Sequence, residues 1–572
     1  MKLRKHQREF KEIVDGIIGG SPVRKIIVSA TPGSGKSLIP ILAGKLITAG
    51  KADKLAWVCP RSSLQNQGEH NFIDPRFRSL LSHELTIRAS TNDEDPCRGL
   101  HGFITTAQAV GMDKKQTVLR DFKRYRYVLI IDEGHHSADG GEGDEGAWMK
   151  AMAPLCESAA FIIIMSGTMS RHDGKRIAFI PYRQIALNEF IPDFDDREDI
   201  AYIEYSRSDA LTEKAIIPLN FMLHDGQAEW VRDGKEKTSR LSTVNIGNSK
   251  GALFTALRTE YALELLSTGI LHWTEWRRTH QTSRFLVVAA NIKVTHEYTD
   301  YLKGLSLSCA IATSDDDKGS AKAIKAYKAG KIDVLVTCQV AYEGLDCPSI
   351  SHVASLTNIR SQEWIEQMCG RVVRIDPHAG PYRSQMGFVF APDDFLMKQI
   401  ILKIQASQIA CAHAKGNKGT QEKEETPIGG VDKGEENPYG IIPIGSRLTD
   451  QREYGMGNGY DVAPSGYDYA QEPPKTQSEI EEELRGKIEK HLRKFAFDNY
   501  YKPQRINKEV RDAFEGKARA DMTVPELRKV LSYIRNVYPL GKAEPDPAKK
   551  RRGSGRRVPT KAVPWNHQLS MF

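Results

Sequence analysis

Short apolar runs rich in β-branched residues alternate with stretches of helical periodicity along most of the chain. In the first half the runs are KIIVS (25–29), LAWVC (55–59), YVLII (127–131) and AFIIIM (160–165), with helix-like segments between them. A second series occupies 284–290, 308–313, 333–337 and 352–356. Runs that are apolar throughout, rather than alternating, suit strands buried on both faces, and their alternation with helices predicts parallel sheets covered by helices. The expected fold class is therefore α/β, with two tandem domains at 1–212 and 282–412. Between them, 213–281 is polar, holds one helical pattern over 252–266, and reads as a connecting helical insertion.

After Cys411 the pattern changes. Residues 413–475 are rich in Gly, Pro, Glu and Tyr without a sustained apolar period, which predicts a flexible linker. Helical signals return at T-Q-S-E (476–479) and T-V-P-E (523–526), each a capping-box pattern ahead of an apolar period. A small helical domain at 476–540 and a basic tail at 541–572 complete the expected organisation.

Composition narrows the class. Among 572 residues, 40% are hydrophobic and 27% charged, which fits a soluble globular protein and excludes fibrous and collagenous ones. The longest apolar runs fall far short of the roughly 20 residues that cross a bilayer. The start, LRKHQREF, has no apolar signal segment, so a cytoplasmic protein is expected. The eight cysteines include no C-x-x-C pair, which argues against zinc knuckles and a disulfide framework and favours buried thiols. The net charge of +8 is unevenly placed, because residues 541–572 hold eight basic and two acidic residues. The body is nearly neutral, so nucleic-acid binding there must rest on motifs rather than on bulk charge.

The sharpest chemical signal is A-T-P-G-S-G-K-S (30–37), between an apolar strand and a helix-like stretch. Thr31, Pro32, Gly33, Ser34 and Gly35 form a loop whose backbone N–H groups can turn around phosphate oxygens. Lys36 can neutralise β/γ charge and Ser37 can ligate Mg2+, although Ala30 stands where the usual pattern begins with Gly. The strand YVLII ends in Asp132 and Glu133, where a parallel sheet opens its ligand crevice. Asp132 is suited to hold Mg2+ and Glu133 to polarise the water that attacks a γ-phosphate. Further on, Arg371 and Arg374, three residues apart in QMCGRVVR, would share a helix face and reach that phosphate only when the two domains close.

Together these residues resemble the motor core of superfamily 2 helicases and translocases of the DExH kind, nearest the branch holding type III restriction motor subunits and XPB-like helicases. The resemblance covers about 1–395 and implies two RecA-like domains, ATP as cofactor and nucleic acid lying across both. By it, Gln7 in L-R-K-H-Q recognises adenine. His135, with Ser166 and Thr168 of S-G-T, couples the ATP site to movement. Gly344 and Asp346 in VAYEGLDCP contact nucleotide, Gln367 belongs with the finger arginines, and Arg61, Thr106 and Thr337 are phosphate contacts that could equally cap or bond locally.

The last residues, Gln568, Leu569, Met571 and Phe572, resemble the Q-L-x-L-F peptides that dock on the bacterial β sliding clamp, with Met in place of Leu. The alternative is that this apolar end folds back on the helical domain. The clamp reading implies DNA, single-stranded or forked, in a bacterial or bacteriophage-infected cell, and a role in replication, repair or recombination. Other readings stay open: an RNA helicase, the motor subunit of a restriction or defence complex, and an ATP-binding scaffold.

Overall fold

The structure, a computed structural model, describes residues 2–60, 63–81, 83–90, 94–113, 116–136, 144–167, 176–186, 189–194, 197–243, 246–338, 345–413, 441–455, 475–499 and 501–540. Arg61, Thr168, Gly344 and Gln568 to Phe572 lie outside them. The chain divides into two compact units, Met1–Ser478 and Glu479–Phe572.

The first domain is built on strands β1 (Lys25–Ala30), β2 (Lys54–Cys59), β3 (Ile87–Ala89), β4 (Gly102–Thr106), β5 (Tyr127–Ile131) and β6 (Phe161–Ser166). A separate hairpin follows, β7 (Tyr182–Ala186) and β8 (Glu189–Pro192), and then β9 (Ile200–Tyr205). Seven of these form one parallel sheet in the order β3-β4-β2-β5-β6-β1-β9. β5 is buried along its whole length, as a continuous apolar run demands when helices cover both faces. One covering helix, Lys5–Ile18, buries Phe10, Val14 and Ile17 at spacings of four and three, the period of a single helical face.

The second domain holds β10 (Leu219–Arg232), β11 (Lys235–Arg240), β12 (Arg284–Ala289), β13 (Cys309–Ala312), β14 (Val334–Thr337), β15 (Ile350–Leu356), β16 (Gly387–Pro392) and β17 (Ile442–Tyr454). Its central strands are parallel, β10 joins β16 in parallel, and β11 and β17 pair antiparallel with β10. This corrects two sequence expectations. The segment expected as a connecting insertion supplies β10 to the sheet, and the expected linker supplies β17.

β10 reads as polar because it carries His224 and Asp225, yet both are buried. Asp225 accepts hydrogen bonds from the Ser242 N–H and hydroxyl at 3.0 and 2.6 Å and lies 2.7 Å from the Arg240 guanidinium, so its burial is compensated. β17 is an edge strand held by its backbone ladder, with Ile442 and Ile444 exposed, so no apolar period marks it. The single helix expected over 252–266 is two, Ile246–Ala256 and Glu260–Arg277, separated where Thr259 takes extended backbone.

Gly387, at the start of β16, is packed on all sides. A Cβ there would lie 2.3 Å from the Val372 carbonyl oxygen and 2.9 Å from Leu219 Cδ2. Gly387→Ala is therefore expected to cost about 1–3 kcal/mol, the usual penalty of overpacking. A urea titration of the full chain reads it as a lowered midpoint, and an unchanged midpoint would refute the packing account.

In the second unit, helices Gln477–Asp498, Pro503–Ala513 and Val524–Val537 pack around Leu484, Ile488, Leu492, Ile506, Val510, Leu527, Val530 and Ile534. Thr523 and Glu526 form the expected reciprocal cap. Among the described residues, no helix is long and apolar enough to cross a membrane.

Candidate active site

The loop that leaves β1 turns through Gly33 at φ +81° and Gly35 at φ +84°. Both values are open to glycine and costly to other residues, so the loop can curl its N–H groups inward and then enter the 3-10 turn Lys36–Leu38. Lys36 Nζ lies 3.2 and 3.3 Å from the two carboxylate oxygens of Glu133. Glu133 itself takes φ +50°, a conformation uncommon for a residue with a side chain. It is held there from both sides, by Lys36 and by Asp132 Oδ1, which accepts the Glu133 N–H at 3.0 Å. Burial and the neighbouring Glu133 carboxylate push the Asp132 carboxyl up from its ordinary value, and Lys36 opposes them.

Ser166 ends β6, and His135 stands in the 3-10 turn Gly134–His136 that follows the neighbouring β5, with its Nδ1 3.0 Å from Ser166 Oγ. On the other side of the ring, Nε2 lies 2.8 Å from Gln367 Nε2 of the second domain. Nδ1 also lies 3.5 Å from a Glu133 carboxylate oxygen, so the ring stands among Ser166, Glu133 and Gln367. One buried imidazole thus links the sheet end of the first domain to the helix Gln362–Cys369 of the second.

That helix ends with Gly370 as its cap, so Arg371 and Arg374 stand in the turn after it and not on a helical face as expected. They line the cleft all the same. Arg374 is ion-paired with Asp346, which also accepts a hydrogen bond from Gln67 Nε2 of the first domain at 3.1 Å. Arg371 donates to the Leu345 carbonyl at 3.3 Å. The domains touch beside the phosphate loop, where a Cβ on Gly33 would sit 2.9 Å from Val373 Cγ2 and one on Gly370 would sit 2.6 Å from Pro32 Cβ.

Between the domains is a cavity of about 730 Å³. Of the residues expected from sequence, Gln7, Pro32, Gly33, Gly35, Lys36, Ser37, Asp132, Glu133, Asp346, Gln367, Arg371 and Arg374 line it. Gln7 is anchored rather than free: its amide donates to the Gly35 carbonyl at 3.1 Å and its Oε1 accepts the Arg4 N–H at 2.9 Å. Thr31 and Ser34 are buried in the loop and do not line the cavity. Thr106 caps the helix Ala107–Gly111, accepting the Ala109 N–H at 3.2 Å, and the buried Thr337 hydroxyl donates to the Ala312 carbonyl at 2.8 Å. Both show the local bonding that was the alternative to phosphate contact.

Sequence reading missed Arg4 and Trp57. The Arg4 guanidinium reaches Gly35, where a Cβ would meet it at 2.9 Å, and the L-R-x-x-Q spacing was its signal. Trp57 Nε1 donates to Asp132 Oδ2 at 3.3 Å across the β2–β5 pairing, a contact that only strand order reveals.

A Ser37 hydroxyl and an Asp132 carboxylate are hard oxygen donors in one cleft. Two adjacent carboxylates there face one lysine, so the donor set fits Mg2+, which takes one or two protein ligands and completes its shell with phosphate and water.

Residues 1–171 match the family described as type III restriction enzyme, res subunit, and residues 262–376 match the helicase conserved C-terminal domain. An uncharacterised protein of Mycobacterium leprae is 24% identical over 417 residues, 72% of this chain and 65% of that one. UvrABC system protein B of Clostridium acetobutylicum is 35% identical over 109 residues, covering 18% of this chain and 16% of its own length. The chain therefore spans less than two thirds of either relative. Among solved structures, the Mycobacterium smegmatis helicase Lhr bound to ssDNA and AMP-PNP aligns over 70% of this chain and 48% of its own, at 14% identity and a TM-score of 0.45. Both domain matches thus stand in chain order, on two α/β sheets of RecA-like kind that share one cleft.

Proposed function

We propose that the chain is an ATP-dependent helicase or translocase that couples ATP hydrolysis to movement along nucleic acid. The observation that carries this is convergence: Lys36, Asp132 and Glu133 of one domain and Gln367, Arg371 and Arg374 of the other line a single cleft. A mere nucleotide binder has no need of a charge finger on a second domain.

Bound Mg–ATP supplies the γ-phosphoryl group to be transferred to water. Ser37 and Asp132 would hold the metal, and the Lys36 ammonium would exchange its Glu133 partner for phosphate oxygens. Glu133, so released, would orient the attacking water and polarise its O–H. Arg374, and Arg371 beside it, would bring positive charge to the oxygens of the transferred group, which for Arg374 requires leaving Asp346. His135 connects this chemistry to domain position, since its Gln367 partner moves with the second domain.

DNA is the polymer we put first, because the clamp-like residues Gln568 to Phe572 imply a setting in DNA replication or repair; RNA is the alternative. The test is steady-state ATP hydrolysis by the full chain with no polymer, single-stranded DNA, forked duplex or RNA. Stimulation by DNA is the expected result, and stimulation by RNA alone would transfer the assignment to RNA. A rate indifferent to every polymer would overturn the translocase reading.

A further inference from the structure

The helix Gln477–Asp498 has an inner and an outer side. Leu484, Ile488, Leu492 and Ala496 form the buried stripe. Across the helix from it, Lys487, Lys490, Lys494 and Phe497 follow one another at spacings of three, four and three, which keeps them on one outer face. Phe497 is 83% exposed, the most exposed of the large apolar side chains described.

A single exposed apolar residue is ordinary, but the company of this one is not. Lys487 pairs with Glu483 at 2.5 Å, and Arg493, on the flank, pairs with Glu489 at 2.5 Å. Lys490 and Lys494 are exposed and make no ion pair among the described residues. Lys490 and Phe497 lie about 10 Å apart along the axis at 1.5 Å per residue. The face therefore offers two uncommitted cations and an open aromatic ring within the length of a short run of nucleotides.

Charge selects the occupant. Lysine is depleted in protein–protein interfaces, so an apolar protein partner fits this surface poorly. Residues 541–572 of the same chain are themselves basic and would be repelled. A polyanion that also presents flat ring faces satisfies both features. In duplex nucleic acid those ring faces are stacked away, whereas a single strand exposes them.

We propose that this face binds single-stranded nucleic acid, Lys490 and Lys494 meeting backbone phosphates and Phe497 stacking on a base, in addition to any contact made by the two α/β domains. A positively charged track with an aromatic platform is the physical recipe for sequence-tolerant single-strand binding. The contact would keep one strand near the protein between steps of the motor.

The test is fluorescence anisotropy of labelled oligo-dT, oligo-rU and a blunt duplex with the full chain over a range of salt. Phe497→Ala, at so exposed a position, leaves the fold intact. It is expected to weaken both oligonucleotides about tenfold while duplex affinity stays as in wild type. Lys490→Ala with Lys494→Ala is expected to flatten the slope of log K against log salt by about 1.4, near 0.7 per single-strand phosphate. A loss confined to one oligonucleotide would identify DNA or RNA as the ligand within the same proposal.

Wild-type affinity for both oligonucleotides in Phe497→Ala would overturn the proposal, as would an equal loss on duplex. So would a change in sedimentation with oligonucleotide binding intact, which would assign the face to a protein partner. Polymer-free ATP hydrolysis should not change in either variant. If no polymer stimulates hydrolysis but these variants still lose single-strand binding, the motor reading fails and this one stands.

Discussion

Glu133→Gln is expected to lower ATP turnover by roughly 10² to 10⁴, the contribution usual for a positioned general base. The substitution keeps the shape of the side chain and one of the two oxygens that accept from Lys36 at 3.2 and 3.3 Å. What it removes is the negative charge that would polarise the attacking water. Nucleotide affinity should stay within a few fold, because the phosphate-facing groups Gly33, Gly35, Lys36 and Ser37 are untouched. Loss of the Glu133 charge also frees Lys36 from its present ion pair, which favours binding. Single-turnover hydrolysis beside equilibrium binding of a labelled nucleotide separates the two effects. Turnover within twofold of wild type would remove Glu133 from the chemistry.

Arg374→Ala is expected to be larger still, roughly 10³ to 10⁵ in kcat, the range an arginine finger supplies in phosphoryl transfer. The ground-state structure shows why binding should suffer little: Arg374 is engaged with Asp346 and not with the phosphate loop. Its contribution arises only in the closed, reacting state, so the loss falls on kcat with KM nearly unchanged. Arg374→Lys should recover little, because a point ammonium does not reproduce the planar fork that spans two oxygens. A variant with wild-type kcat, or one whose defect lies wholly in KM, would contradict the finger role.

The first domain was legible because its signals are local. The phosphate loop sits between β1 and the 3-10 turn that follows it, and Asp132 and Glu133 end a strand apolar at every position. The second domain was harder to read because its sheet is completed from a distance. β10 conceals its burial behind Asp225, whose charge is neutralised by Arg240, a residue on the next strand. β17 offers no apolar rhythm, since backbone pairing rather than side-chain burial holds it. The arginines line the cleft, but Gly370 stops the helix one residue before Arg371, so they do not share the helical face expected of them. Trp57 could not have been found without the order of strands, which brings β2 beside β5.

The way the second sheet is completed also fixes when it can form. Asn220 on β10 is hydrogen-bonded to Glu453 on β17, 233 positions later in the chain. On a ribosome working at about 5–20 residues per second, β10 waits roughly 10 to 50 seconds for that partner. Until then the long strand presents an open edge in a crowded cell, the geometry that invites wrong strand pairing. Biogenesis of this protein thus has its own vulnerable interval, set by the distance in sequence between two strands that end up side by side. A chain stopped anywhere before β17 would remain in that interval.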